Sequence, residues 1–257
     1  MARRRLLCVT AGAAALLLTA LAPLATADDG DDLSAQELAK QAKDNLLKAD
    51  SVRLKLTDHS AGVNMNRTQP TSMDLALDRE GNCTGTMRMG ADGGSVEIIK
   101  QGDEVWMKPD TAFWKSQVPG NQGAAVAELF KGRYIHGSTN DAMLKGLADT
   151  CDLNNFQKDI DTGTARGTSL TKGDKTKVDD TDVIPLTGRE DGRHVTLYVT
   201  SDSPHRLIQA TQRGAGANTT LAFTDYDEPV PSETPQAKDT VDVNKLQEEL
   251  QKVPASP

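Results

Sequence analysis

Rings are scarce in this chain: four Phe, three Tyr and two Trp make aromatics only 4% of its 257 residues. A core must therefore be built from Val, Leu, Ile, Met and Ala, and a sugar-stacking groove has few platforms to use. Histidine is almost as rare. His59, His136, His194 and His205 stand beside turn or charged residues and share no short ligand spacing, so surface histidines, no metal and no cofactor are expected. No GxSxG, HExxH, P-loop or GxGxxG motif occurs. Asp159-Ile160-Asp161-Thr162-Gly163 begins like a calcium loop, but Gly163 stands at the third ligand position and no later Glu completes it. Carboxylates paired for glycoside chemistry are recognised by their separation in space, and nothing in the chain favours them. The expectation is a protein that is not an enzyme. Positive charge is in deficit as well: 29 Lys and Arg against 37 Asp and Glu give a net −8. An acidic surface repels phosphate backbones, which excludes nucleic acid as a partner.

The first 27 residues read as an export signal rather than as part of a fold. Arg3, Arg4 and Arg5 form a basic start, residues 6–22 an apolar stretch, and Ala25-Thr26-Ala27 a small-x-small cleavage pattern. Losing those arginines takes the mature chain to a net charge near −11. Cys8 opens the apolar stretch instead of closing it, so no lipid anchor is expected and the mature protein is read as released into the extracellular or cell-envelope space. Of the three cysteines, Cys83 and Cys151 then remain. An even pair in an oxidising compartment is read as a disulfide, the alternative being two buried free thiols.

Residues 34–49 carry a helix signal. Ser34 and Glu37 have capping-box spacing, and Leu33 and Leu38 occupy the staple positions. Ala35, Leu38, Ala42, Leu46 and Ala49 form one apolar stripe. Alternation at period two follows: Val52, Leu54 and Leu56 against Arg53, Lys55 and Thr57; Met73, Leu75 and Leu77 against Asp74, Ala76 and Asp78; Cys83, Gly85, Met87 and Met89 against Thr84, Thr86 and Arg88. Such segments predict an antiparallel sheet, apolar on one side and wet on the other. Residues 95–100 and 104–108 read as a hairpin around Gln101-Gly102-Asp103. The middle changes period, with helices expected over 124–131, after a cap at Ser138 or Thr139, and after Asp152. Cys151 falls between the last two, so the bridge would tie this helical insert to the sheet's apolar face. Strands are expected again over 164–171, 181–187, 193–200, 204–213 and 219–226. A Pro-containing segment, 229–257, ends with a short helix over 241–253. No linker divides the chain, so residues 28–257 are read as one domain of α+β class, mainly antiparallel β.

Met65, Met73, Met87, Met89 and Met107 fall on or beside the early strands. Methionine conforms to irregular apolar partners, so a Met-lined face suits a flexible acyl chain as well as the protein's own helices. Val96-Glu97-Ile98-Ile99-Lys100-Gln101-Gly102-Asp103-Glu104-Val105-Trp106-Met107-Lys108, followed by Phe113-Trp114, resembles the central hairpin of the LolA-like and LppX/LprG-type envelope proteins. Phe223-Thr224-Asp225-Tyr226-Asp227-Glu228-Pro229-Val230 is similar to that family's last strand. The resemblance implies a strongly curved half-barrel with helices packed on its concave face. It further implies a cavity for a hydrophobic ligand, lipid acyl chains, and carriage without covalent chemistry. The liners expected are Val52, Leu54 and Leu56, then Met73, Leu75 and Leu77, then Met87 and Met89, then Val105 and Met107. Trp106 and Trp114 are expected at the rim or against the insert. The alternative is a structural or interaction module whose concave face is filled by its own helices and whose acidic exterior meets an envelope protein partner.

Overall fold

The computed structural model describes residues 29–67, 69–118, 122–163 and 169–252. The expected export signal and most of the expected strand at 164–171 lie outside them. Helix α1 (Ala35–Lys48) leads into strands β1 (Ser51–Asp58), β2 (Pro70–Asp78), β3 (Cys83–Met89), β4 (Ser95–Gln101) and β5 (Glu104–Pro109). Helices α2 (Thr111–Gln117) and α3 (Gln122–Leu129), strand β6 (Tyr134–Ser138), and helices α4 (Lys145–Thr150) and α5 (Leu153–Gly163) follow. The chain closes with β7 (Thr171–Lys172), β8 (Thr176–Val178), β9 (Thr181–Glu190), β10 (Arg193–Thr200), β11 (Leu207–Gly214), β12 (Ala217–Thr224), β13 (Thr240–Asp242) and α6 (Val243–Lys252). Among the described residues thirteen strands join one curved, unclosed sheet in the order β13-β6-β5-β4-β3-β2-β1-β12-β11-β10-β9-β7, with β8 also on β9. Every pairing is antiparallel except β13 with β6. The α+β half-barrel expected from the resemblance is the fold observed.

Local chemistry explains the elements that sequence reading anticipated. At α1 the Ser34 side chain accepts from the Glu37 amide at 3.3 Å, and the Glu37 carboxylate accepts from the Ser34 amide at 2.9 Å. This reciprocal cap satisfies two otherwise unpaired donors of the first turn. The buried stripe Ala35, Leu38, Ala42 and Leu46 faces the sheet and α5. On the strands, alternation becomes register. Leu54 pairs with Leu75 and Phe223, Leu75 with Gly85, Gly85 with Ile98, and Ile98 with Met107. All of these belong to the concave face. Gly85 is required there: at φ +155°, a β-carbon would lie 2.0 Å from the Asp74 carbonyl oxygen.

Several expectations are corrected. Residues 134–138 form β6, which no alternating run announced, because only Ile135 is a large apolar residue there; it pairs with Met107 across a long separation. The helix expected after Ser138 starts only at Lys145, since residues 138–144 are held as turns, the Asp141 carboxylate accepting from the Ser138 amide and the Asp141 carbonyl from the Leu144 amide. Phe113 and Trp114 lie on α2, a short helix that no periodicity announced, capped by Asp110. Met65 is 81% exposed and takes no part in the apolar face. Trp106 sits on the outer face, stacked on His136. His205 is fully buried, not at the surface. Its Nδ1 meets the Thr200 carbonyl oxygen at 3.0 Å, and Gly30 packs over the ring. Charged neighbours in sequence said nothing about that covering segment, which comes from the other end of the chain.

Candidate functional site

The concave face is closed at one end and loosens toward the other. On β1, Val52 and Leu54 are buried but Leu56 only half so; on β2 the order is Leu77, Leu75, then half-buried Met73. Strands β10 and β12 repeat the trend, from Val199 to Leu197 and from Phe223 to Leu221. One cross-strand row joins Pro109, Val96, Met87, Met73, Leu56, Leu221, Ala210, Leu197 and Leu186, buried at its ends and half-buried from Met73 to Leu197. One step further toward the open end, Asp58, Thr219 and Gln212 replace them, and the apolar floor stops.

Beneath the helices Met87 of this row borders a cavity of about 560 Å³. Met87, Met89 and Met107 line it from the sheet, Phe113, Trp114 and Val118 from α2 and its end, and Met143 and Leu147 from the segment of α4. Volumes of this order are typical of small-molecule sites. Gly94 lets the roof come down: a β-carbon there would be 2.1 Å from the Phe113 amide nitrogen. Trp114 is buried beside Phe130, the residue that follows α3. The far end of α4 is fastened by the Cys83–Cys151 disulfide, whose Cα atoms are 5.5 Å apart and which joins the helical insert to β3 as anticipated.

Of the ten residues expected to line a cavity, Met87, Met89 and Met107 border this one. Leu56 and Met73, half-buried, line a second recess together with Met87. Val52, Leu54, Leu75, Leu77 and Val105 are enclosed as core. The roof residues Phe113, Val118, Met143 and Leu147 were not singled out from sequence, because helical spacing shows which face is apolar but not which strand it covers.

The second recess, of about 700 Å³, shares Met87 and Trp114 with the cavity and is lined by Leu56, Met73, Val96 and Ala127 as well as by polar residues. Lys55, Asp74, Thr86, Glu97 and Lys108 form one cross-strand row within it. Its carboxylates are engaged by neighbours. The hydrogen bond from Arg53 at 2.6 Å, with further attraction from Lys55, holds Asp74 below the ordinary carboxylate range. Burial alone would raise Glu97, but hydrogen bonds from Lys108 and Tyr134 outweigh it and hold that carboxyl low too. Asp110 likewise stays low against burial, through the Phe113 amide that it caps and through Ser95. Among the described residues no cluster of His, Cys, Asp or Glu is arranged to hold a metal ion, and no helix is long and apolar enough to cross a membrane.

No protein-family model matches the sequence, and no curated protein sequence does. Solved structures do. LprF from Mycobacterium bovis superposes with a TM-score of 0.52 at 11% identity, over 78% of this chain and 96% of LprF. Lipoprotein LppX from Mycobacterium tuberculosis aligns less closely, with a TM-score of 0.46 at 14% identity over 77% of this chain and 98% of LppX. A LolA superfamily protein from Nitrosomonas europaea reaches 0.26 at 13% identity, over 77% and 96%. The chain thus has the fold of LprF, the half-barrel implied by its resemblance to LolA-like and LppX/LprG-type envelope proteins.

Proposed function

We propose that this protein is a non-enzymatic carrier of the cell envelope or extracellular space that holds a hydrophobic ligand, an acyl chain, between sheet and helices. The observation that carries the reading is the cavity of about 560 Å³ with methionines in its floor and Met143 and Leu147 in its roof. Thioether side chains adapt to a chain that has no fixed shape. Each methylene transferred from water into such a space contributes about 0.8 kcal/mol, so affinity needs no polar motif. The half-buried row from Met73 through Leu56 to Leu221 extends the apolar floor beyond the roof and offers further length. Within this reading the ligand touches Met87, Met89 and Met107 first, with Leu56 and Met73 at the open end. The export signal read over residues 1–27 supports a location outside the cytoplasm.

The enclosure of Val52, Leu54, Leu75, Leu77 and Val105 favours a second reading, an interaction module whose helices already fill most of the half-barrel. Mass spectrometry of organic extracts from protein purified without detergent separates the two. A carrier yields acyl lipids in near-stoichiometric amount; repeated lipid-free preparations that also fail to take up a fluorescent fatty acid leave the interaction module standing.

A further inference from the structure

The cavity and the recess meet at Met87 and Trp114, the two residues that line both, and they differ in what they can hold. Among the described residues no charged side chain borders the cavity. The recess sets an apolar floor of Leu56, Met73 and Val96 beside the charged side chains of Lys55, Glu97 and Lys108. An amphiphile lying across the two keeps its tail among the methionines of the cavity and its head among those charges. The junction between tail and head then falls beside Trp114.

Trp114 is 4% exposed, and its Nε1 is closed to solvent with no hydrogen-bond partner among the described residues. The other polar side chains that border the cavity are engaged. Gln117 donates to the Arg67 carbonyl at 2.9 Å and to the Ser116 hydroxyl at 3.2 Å, and the Thr150 hydroxyl donates to the Gly146 carbonyl at 2.9 Å. A buried indole N–H ordinarily finds an acceptor, because one left unpaired has given up its bond to water without a replacement. With solvent shut out, a molecule entering between the sheet and α2 is what can supply that acceptor. The indole offers one neutral donor and no acceptor. Its ring packs against Phe113 and Phe130, contacts that a ring without nitrogen would also make. In an acyl ester or amide the group between tail and head is a carbonyl, which accepts and carries no charge. Building on the acyl-carrier reading, on which this rests, we propose that Trp114 determines ligand specificity: its Nε1 donates to the carbonyl oxygen of an ester- or amide-linked acyl chain whose tail fills the cavity and whose head lies in the recess. A bare hydrocarbon or an alkyl ether fills the same space and leaves the donor unpaired.

Equilibrium binding of radiolabelled 1-palmitoylglycerol and of its ether analogue, 1-hexadecylglycerol, to the whole protein tests the role of Trp114. The wild type should favour the ester about fivefold, the scale of one hydrogen bond. Trp114→Phe keeps a ring in the roof without the donor and should bind the two lipids alike; any loss of packing affects both and cancels in the ratio. A second readout does not depend on that variant. Proton–nitrogen correlation spectra carry indole signals from Trp106 and Trp114, the chain's two tryptophans, and the Trp114 signal should move further with the ester than with the ether. Should Trp114→Phe fail to fold, the wild-type ratio and the indole signal decide between them. Equal affinities in the wild type, a preference that survives in folded Trp114→Phe, or an indole signal that moves no further with the ester overturns the role of Trp114 and leaves the carrier standing. Binding of neither lipid to the wild type is a separate result, which brings down the acyl-carrier reading itself.

Discussion

Asp74 lies on the outer face where cations from β1 converge: the Arg53 Nε at 2.6 Å and the Lys55 Nζ at 3.6 Å. Because its carboxyl is held below the ordinary 3.8, chiefly by the Arg53 hydrogen bond, the folded state prefers the ionised form. Stability from this group is present above the unfolded value and is lost as pH falls through the lower folded one. Arg53 and Lys55 are well exposed, so solvent screening limits the contribution to roughly 0.5–1 kcal/mol. Asp74→Asn should therefore lower the urea midpoint at pH 7, and the gap to wild type should close by about pH 2, where both proteins carry a neutral group. A gap that persists at that pH would assign the effect to packing instead. The alternation of Asp74 with Met73 and Leu75 already showed in the sequence which way it points. Its pairing with Arg53 did not, because the register between β1 and β2 depends on how residues 59–69 close the connection.

At the scale of elements, the Cys83–Cys151 bridge and the helix it restrains belong together. The bridge spans a sequence separation of 68. Closing a loop of that length in the unfolded chain is worth about 4 kcal/mol in the chain-entropy model. Cys83→Ala with Cys151→Ala should lose a stability of that order in denaturant titrations, and it should speed the release of a bound fluorescent fatty acid, because α4, which supplies Leu147 to the roof, ends at Cys151. A double variant as stable as wild type would show that the link constrains nothing. The pairing was legible from cysteine count and compartment. Strand β6, in contrast, was not: with Ile135 its one large apolar residue, its place is decided by β5 on one side and β13 on the other.

For the whole molecule the question is how much of the half-barrel its own helices fill. Helix α1 and α5 cover the closed end, where Leu38, Leu46, Leu77 and Phe223 are buried, and α2 and α4 roof the cavity beside it. Leu147→Trp places a ring in that space. Overpacking is expected to cost about 1–3 kcal/mol, which a chain braced by a disulfide tolerates. The variant should keep its far-ultraviolet circular dichroism and its cooperative melt while the lipid recovered per molecule falls severalfold. Undiminished lipid in a folded Leu147→Trp protein would move the ligand out of this cavity, leaving the half-buried Leu56–Leu221 row as the place to look.

Period-two alternation over the early strands and the capped stripe of α1 are local properties, readable because side-chain direction follows from backbone geometry within a few residues. They were enough to establish a one-sided sheet, the inward direction of Met87, Met89 and Met107, and the face that α1 buries. Which inward residues become sealed core and which border a cavity is a different matter. Val52 and Leu56 look alike in sequence, yet the first is buried and the second half-exposed. That difference arises from where α1, α2, α4 and α5 settle on the curved sheet, and from residues such as Gly30 and His205 meeting from distant parts of the chain. Such contacts depend on packing among whole elements, and no stretch of sequence contains both partners.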